Sequence, residues 1–437
     1  MSMQIRRLNT TDADFDEALT QLLDWDTGTG AGVPETVASV LADVQARGDQ
    51  AVLELTSKFD RLEADDLAAL KLSPETLQAA LDRIDAPSRL ALEKAGQRIT
   101  DYHQHQKESS WRFTDDLGNE LGQKITPLSR VGVYVPGGQA SYPSSVLMTL
   151  LPAKVAGVEE IVVTVPTPDG KRSDMVLAAL AIAGADEVYT IGGAQAVGAM
   201  AYGTQTIGRV DKIVGPGGAY VAEAKRQVYG KVGIDVIAGP SEILVIADGS
   251  TNPEWVAMDL FSQAEHDADA QSILLSPDPK FMQAVWDAMQ RLLPTMARKE
   301  VITASLAARG GFIQTRDLAE AIDVANRIAP EHLELQVEDP DAWIEQIKHA
   351  GAIFCGAYSG ETLGDYVAGP SHVLPTFGTA RFGSPLGVYD FIKRSSIIRI
   401  APQAAADLVD IALPLANSEG LEAHARAAAI RAEQQPE

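Results

Sequence analysis

Cysteine is nearly missing from this chain: Cys355 stands alone among 437 residues, which excludes an internal disulfide and points to a reducing compartment. Basic residues are scarce as well, with 36 Lys and Arg against 60 Asp and Glu and a formal net charge of −24. Such a balance repels a phosphate backbone and argues against a nucleic-acid partner, while a small cationic or zwitterionic substrate is compatible with it. Long apolar runs are absent. The most apolar stretch, 146–158, is interrupted by Lys154 and is too short to span a bilayer. At the amino terminus Arg6 and Arg7 lead into the polar run 8–14, so no apolar signal region is present. The expectation is a cytoplasmic protein without a membrane or nucleic-acid partner. What is present, 46% hydrophobic and 22% charged residues, fits a globular chain. The length corresponds to roughly three domain-sized units, so core size is no limitation.

Residues 1–126 are mostly helical in pattern, with apolar residues at three-four spacing in 18–23, 33–46, 51–59 and 88–105 and a flexible glycine break at 28–32. His103 and His105, set among Gln104, Gln106 and Lys107, read as a solvated helix face. From Ile125 onward, short β-branched runs alternate with apolar helices. Segments 131–135, 161–165, 188–191, 212–214 and 234–237 read as buried parallel strands, joined by crossover helices at 144–156, 173–183, 195–202 and 220–229. A second set comes next, with strands at 243–246, 272–275, 311–314, 333–337 and 352–354 and helices near 253–266, 279–296, 316–328 and 340–348. The fold class expected is α/β: two successive doubly wound, incomplete Rossmann-like units, preceded by a helical segment and followed by a small tail. That tail holds a strand at 396–400 and two helices, the first with Leu408, Ile411, Ala412 and Leu415 along one side. So apolar an appendage is expected to pack on another subunit.

Glycine-rich turns close several strands: Pro136-Gly137-Gly138, Gly192-Gly193-Ala194-Gln195, Gly215-Pro216-Gly217-Gly218 and Ala238-Gly239-Pro240-Ser241. They let backbone amides approach a ligand at the carboxyl ends of strands, where α/β sheets bind cofactors. None is a GxGxxG fingerprint, so the turns alone leave a dinucleotide and ordinary tight connections equally open. Gln263 and His266 stand three apart at the end of the helix 253–266 and so share one face. An oxygen donor and an imidazole one turn apart make half a metal site, and equally a polar helix end; spacing does not choose between Gln263 and Glu265 as ligand, and no HExxH zinc pattern occurs downstream.

Glu331 and His332 are adjacent, so their side chains diverge in regular structure but line one cleft at a turn after Pro330. Together they offer proton acceptors of different resting pKa, suited to a reaction that loses protons twice; a strand entry with His332 capping a neighbour fits the pattern as well. Asp365 lies in a Gly-Asp-Tyr loop ahead of the turn-rich segment 369–375, whose His372 is open among ligand, substrate contact and structural residue. Cys355 sits in the apolar strand 352–356 with no basic group near it, and reads as a core residue rather than a nucleophile.

Taken in order, Val133-Tyr134-Val135-Pro136-Gly137-Gly138, Gly192-Gly193-Ala194-Gln195-Ala196, Gly215-Pro216-Gly217, Ala238-Gly239-Pro240-Ser241-Glu242, Ser262-Gln263-Ala264-Glu265-His266, Ala329-Pro330-Glu331-His332-Leu333 and Gly420-Leu421-Glu422-Ala423-His424 resemble the signature blocks of the histidinol dehydrogenase family. The likeness runs over nearly the whole chain. It implies a zinc- and NAD-dependent oxidation of L-histidinol through L-histidinaldehyde to L-histidine, with two NAD and one water consumed. By that resemblance zinc is held by Gln263, His266, Asp365 and His424, the last donated across a homodimer with shared active sites. Ser241, Glu419 and His332, together with the zinc ligands, contact the substrate; Tyr134, Gln195 and the Gly218 position contact NAD; His332 and Glu331 are the catalytic acid–base pair.

The implied division is a helical segment 1–29, a discontinuous α/β domain 30–133 plus 241–385 carrying zinc and catalytic residues, a cofactor-binding domain 134–240 and a dimerising tail 386–437. Two departures stand out: Gly218 replaces the Asn common in the family, which predicts weaker NAD affinity, and Pro370-Ser371 replaces the commoner Thr-Asn or Pro-Asn. Another small polar alcohol on the same scaffold is the alternative substrate. A hydrolase in which Glu331 activates water without a dinucleotide is the alternative from another class.

Overall fold

The β-branched runs pair as two six-stranded sheets in the computed structural model, which describes residues 3–24, 32–137 and 142–433. In chain order the strands are β1 (Arg6–Asn9), β2 (Lys71–Leu72), β3 (Trp111–Thr114), β4 (Glu120–Pro127), β5 (Arg130–Tyr134), β6 (Glu160–Thr164), β7 (Glu187–Tyr189), β8 (Lys212–Val214), β9 (Gly233–Ile234), β10 (Glu242–Ala247), β11 (Gln271–Ser276), β12 (Gly311–Gln314), β13 (His332–Gln336), β14 (Ala352–Cys355) and β15 (Ile392–Arg399). The chain divides into two compact units, 1–106 with 129–391, and 107–128 with 392–437.

The first unit holds both large sheets. One has the order β2-β7-β6-β5-β8-β9 and is parallel except where β2 meets β7. Parallel pairs need crossovers, and the helices Pro143–Ala156, Asp174–Ala183, Gly193–Tyr202 and Ala219–Val228 supply them. The other has the order β1-β12-β11-β10-β13-β14 and is parallel throughout. Along β10 the two-residue period splits the core. Ile243, Val245 and Ala247 join Val256, Leu260 and Phe261 on one side; Leu244 and Ile246 join Phe15, Leu19 and Ile322 on the other. Both faces are therefore covered and every residue of β10 is buried. Each fully buried aliphatic there contributes roughly 1.5–3 kcal/mol. Register sets the geometry at one end of this sheet: Ile243 pairs with His332, so the starts of β10 and β13 lie side by side.

The expected α/β alternation is observed, and the differences have local causes. β1 adds an edge strand beside β12; half exposed, it carries no alternation to read and is held by backbone pairing. The helices Pro74–Arg83 and Lys299–Arg309 fall where none was expected, the first started by Ser73, whose hydroxyl accepts from the Thr76 N–H. The helix beginning at Pro253, capped by the Asn252 side chain, ends at Ala264 rather than 266. His266 lies in the turn beyond, tied back by its N–H to the Gln263 carbonyl at 3.1 Å. Asp365 is not in an open loop but on the π-helical turn Gly364–Ala368. His103 is fully buried, its Nδ1 at 2.7 Å from the Ile99 carbonyl, and is not part of a solvated face. Gly28 to Gly30, Ala31 and Gly138 of the expected glycine turns lie outside the described residues. Among the described residues no helix is long and apolar enough to cross a membrane.

In the second unit β15 pairs antiparallel with β4 over all eight of its residues, and β4 with β3. The strand expected at 396–400 thus begins at Ile392. Two helices come after it, Ala405–Ser418 and Glu422–Glu433, leaving Ile411, Leu415 and Ile430 exposed.

Candidate active site

The starts of β10 and β13 bring two residues to the backbone of Glu242. The Glu242 N–H donates to Glu331 Oε2 at 2.8 Å, and His332 Nδ1 lies 2.9 Å from the Glu242 carbonyl oxygen. A carbonyl only accepts, so Nδ1 carries the proton and the lone pair of the neutral ring is at Nε2. Adjacent side chains that would diverge along a strand are thereby folded onto the same anchor. The turn ahead of them is strained: Ala329 closes the helix Leu318–Ile328 at φ 55°, a left-handed conformation that costs a non-glycine residue on the order of 1–3 kcal/mol.

His332 Nε2 faces acids, 3.3 Å from Asp365 Oδ1 and 3.9 Å from Glu361 Oε1. His332, Glu361 and Asp365 present ligand-type atoms within 4.8 Å of one another. Burial disfavours charge on the imidazole, yet Glu361, Glu331 and Asp365 together outweigh it and raise its pKa. Burial pushes Glu331 up to about 7, with Asp365 adding to the effect, and pushes Glu361 and Glu242 up to about 8. Asp365 is held low by its hydrogen bond to His332 in spite of burial. Beneath lies a further acid pair. Glu334 accepts from the Glu361 N–H at 2.7 Å and from Gln336 at 2.9 Å, and is hydrogen-bonded to Asp259.

Asp365 is positioned from two sides. Arg98 Nε donates to the Val367 carbonyl at 2.6 Å, and His372 Nδ1 lies 3.0 Å from the Asp365 carbonyl while its Nε2 lies 3.1 Å from Ser145 Oγ. Both ring nitrogens of His372 are therefore engaged by the chain, which makes it a structural support of the Asp365 turn. Gly364 is required there, because a Cβ would stand 2.3 Å from the Phe354 ring. A cleft of about 990 Å³ opens beside this turn, lined by Asp365, Leu363, Phe354, Tyr358, Arg98 and Tyr102 among others.

Gln263 is fully buried, and neither its Oε1 nor its Nε2 has a hydrogen-bond partner among the described residues. An orphaned buried amide costs about 1–3 kcal/mol per group, and an oxygen donor left open suits a divalent cation. His266, one turn on, is within electrostatic range of Asp365 and His332. The residues present thus fit a mixed N/O metal centre. Ser241 precedes β10, its carbonyl accepting from the Gln271 N–H at 2.9 Å. Glu419 and His424 belong to the second unit and are exposed there, Glu419 just after the helix Ala405–Ser418 and His424 in the first turn of Glu422–Glu433.

At the other sheet, Tyr134 ends β5. Its hydroxyl accepts from the Gly193 N–H at 3.1 Å, and burial pushes it up to about 12. Gln195 is buried in the helix that continues from this turn, and Gly218 caps the helix Ala219–Val228. Cys355 is half-buried on β14, its thiol pushed up by burial, as befits a packing residue.

The roles of Glu242, Glu334, Glu361 and Asp259 were not legible in the sequence. Only the position of Glu242, directly after the Ala-Gly-Pro-Ser turn, offered a signal.

The family model for histidinol dehydrogenase matches residues 27–432. A histidinol dehydrogenase of Ralstonia nicotianae is 60% identical over 435 residues, covering 99% of this chain and 98% of the relative. One from Pseudomonas aeruginosa is 60% identical over 427 residues, covering 98% and 97%. The crystal structure of histidinol dehydrogenase from Elizabethkingia anophelis superposes with a TM-score of 0.93 at 32% identity and covers 99% of both chains.

Proposed function

We infer, for a chain that belongs to the histidinol dehydrogenase family, that it oxidises L-histidinol through L-histidinaldehyde to L-histidine, with two NAD as co-substrate and one water consumed. The observation that carries the reading is the convergence of Glu331 and His332 on the backbone of Glu242, which turns His332 Nε2 toward Asp365.

Gln263, His266 and Asp365 of one subunit would hold zinc with His424 of the partner subunit, which makes the active unit a homodimer. Zinc bound there supplies a Lewis acid that anchors the imidazole and amine of the substrate. The chain's own groups do the rest. His332 in its neutral form accepts the alcohol proton at Nε2 while hydride passes to the co-substrate, and its Nδ1–H bond to Glu242 keeps Nε2 turned toward the site. Glu331, poised by burial near neutrality, takes a proton from the water that adds to the aldehyde. Ser241 and the partner subunit's Glu419 would hold the substrate's polar groups; Tyr134, Gln195 and the Gly218 turn would hold NAD, in the α/β segment 134–240. A cytoplasmic setting for the reaction is supported by the lone Cys355. L-histidinol added to metal-replete protein with NAD should yield NADH and histidine. A folded, zinc-loaded chain that reduces no NAD would overturn the reading.

A further inference from the structure

Lys225 and Asp235 form an ion pair whose side chains are both closed to solvent, outside the acid cluster around His332. Their partners are unusual in being the two polar groups of one residue. Lys225 Nζ donates to the Gly215 carbonyl at 2.9 Å, and the Gly215 N–H donates to Asp235 Oδ2 at 2.7 Å, while the ammonium pairs with Asp235 Oδ1. The ring so closed joins three elements: the end of β8, the helix Ala219–Val228 that carries Lys225, and the end of β9, directly before Asp235. An apolar pair of similar volume would hold helix to sheet at lower desolvation cost. What the charges add is a grip on one residue, Gly215, whose N–H and C=O would otherwise lie unsatisfied beyond the strand end.

Gly215 is the pivot of the turn 215–218. Gly215 has φ 110°, and a Cβ there would fall 2.1 Å from the Tyr134 carbonyl oxygen, so the turn presses directly on the residue whose hydroxyl holds Gly193. Gly217 in turn admits no Cβ beside Val221, at 2.5 Å. The clamp therefore fixes one turn against a second, and Gln195 comes just after that second turn on its helix.

We propose that Lys225 and Asp235 are positioning residues for NAD: closed off from the ligand themselves, they preset the turn 215–218 and, through Tyr134, the turn at Gly193. The proposal rests on the reading that NAD binds at Tyr134, Gln195 and the Gly218 turn. It predicts that loosening the clamp weakens NAD without touching the metal or the alcohol. The test uses full-length, zinc-loaded protein. Lys225→Met combined with Asp235→Asn removes both charges but leaves an acceptor for the Gly215 N–H. Lys225→Arg keeps the charge, changes the reach and guards against loss of folding in the first variant. Each is expected to raise the KM and Kd for NAD at least ten-fold while zinc content, the KM for histidinol and kcat at saturating NAD stay within about two-fold. Gln195→Ala separates the two levels of inference. If it raises the KM for NAD but the folded clamp variants keep the parent value, the clamp is overturned alone. If Gln195→Ala also leaves NAD unaffected, the placement of the nucleotide fails and the clamp proposal with it. A clamp variant that loses zinc and histidinol binding in step with NAD would show a merely structural pair and likewise overturn the proposal.

Discussion

Replacing Gly218 by Asn isolates one contact to NAD. Gly218 caps its helix with φ −64° and ψ 177°, dihedrals open to any residue, and a Cβ built there meets nothing within 4 Å. Neither strain nor crowding opposes the change, unlike at Gly215 or Gly217. The family resemblance puts an Asn amide on NAD at this position. One neutral hydrogen bond contributes about 0.5–1.5 kcal/mol, which is roughly a two- to thirteen-fold fall in Kd. A second effect runs beside it. Asn exceeds Gly at an N-cap by only a few tenths of a kcal/mol, and removing a glycine lowers the entropy of the unfolded chain by about 0.4–1 kcal/mol. Calorimetric titration with NAD and thermal unfolding without it separate the two. The expected result is a several-fold lower Kd for NAD, a parallel fall in KM, unchanged kcat and a slightly higher Tm. A higher Tm with unchanged NAD affinity would mean that the new amide caps its own helix instead of reaching NAD, and would refute the predicted contact from this position.

Glu331→Gln should leave the first oxidation largely intact and slow the second by roughly 10²–10⁴-fold, so that rapid-quench sampling finds the aldehyde and one NADH per histidinol; equal slowing of both steps would contradict the assigned role. Because the acting form of Glu331 is its carboxylate and burial holds it near 7, the rate of aldehyde oxidation should fall as pH drops below about 7 in a pH–rate profile; a flat profile would refute this. Glu242, pushed up to about 8 by burial, keeps its proton in the folded chain while the unfolded chain releases it at the ordinary carboxyl value, so this group lowers stability as pH rises between those two values. Glu242→Gln should therefore match the parent Tm at pH 5 and exceed it at pH 8.5, and a deficit at pH 8.5 would count against it. Gln263→Met removes two orphaned buried polar atoms and should stabilise the metal-stripped protein by about 1–3 kcal/mol while abolishing zinc retention by elemental analysis; retained zinc would remove Gln263 from the ligand set.

Helical periodicity made the Gln263 and His266 pair visible, since Val256, Leu260 and Ala264 mark the buried stripe that turns Gln263 inward. It did not reveal that the helix stops at Ala264, because the closing bond from the His266 N–H to the Gln263 carbonyl is a backbone event without a side-chain signature. Glycine turns at strand ends were legible for the same local reason. Their mutual bracing through Gly215, Tyr134 and Gly193 was not, since it depends on parallel strands far apart in sequence being neighbours. The acids were the main blind spot. By residue type alone a glutamate is expected in solvent, yet Glu242, Glu334 and Glu361 are all buried, which only the packing of β10, β13 and the 361–368 turn reveals. Nor do the candidate residues follow the rule that α/β sheets bind and act at their carboxyl ends. In the fully parallel sheet, Glu242 and His332 stand at the amino ends of β10 and β13, brought level by the Ile243 to His332 register.

The central claim is a four-electron oxidation at one site, and counting electrons tests it most directly. Metal-replete protein would be given excess NAD and a limiting amount of L-histidinol, with NADH followed to completion by absorbance and the product identified. Two NADH per histidinol, with histidine as the product, is the predicted result. One NADH with free aldehyde, or none from folded protein with zinc bound, would contradict it.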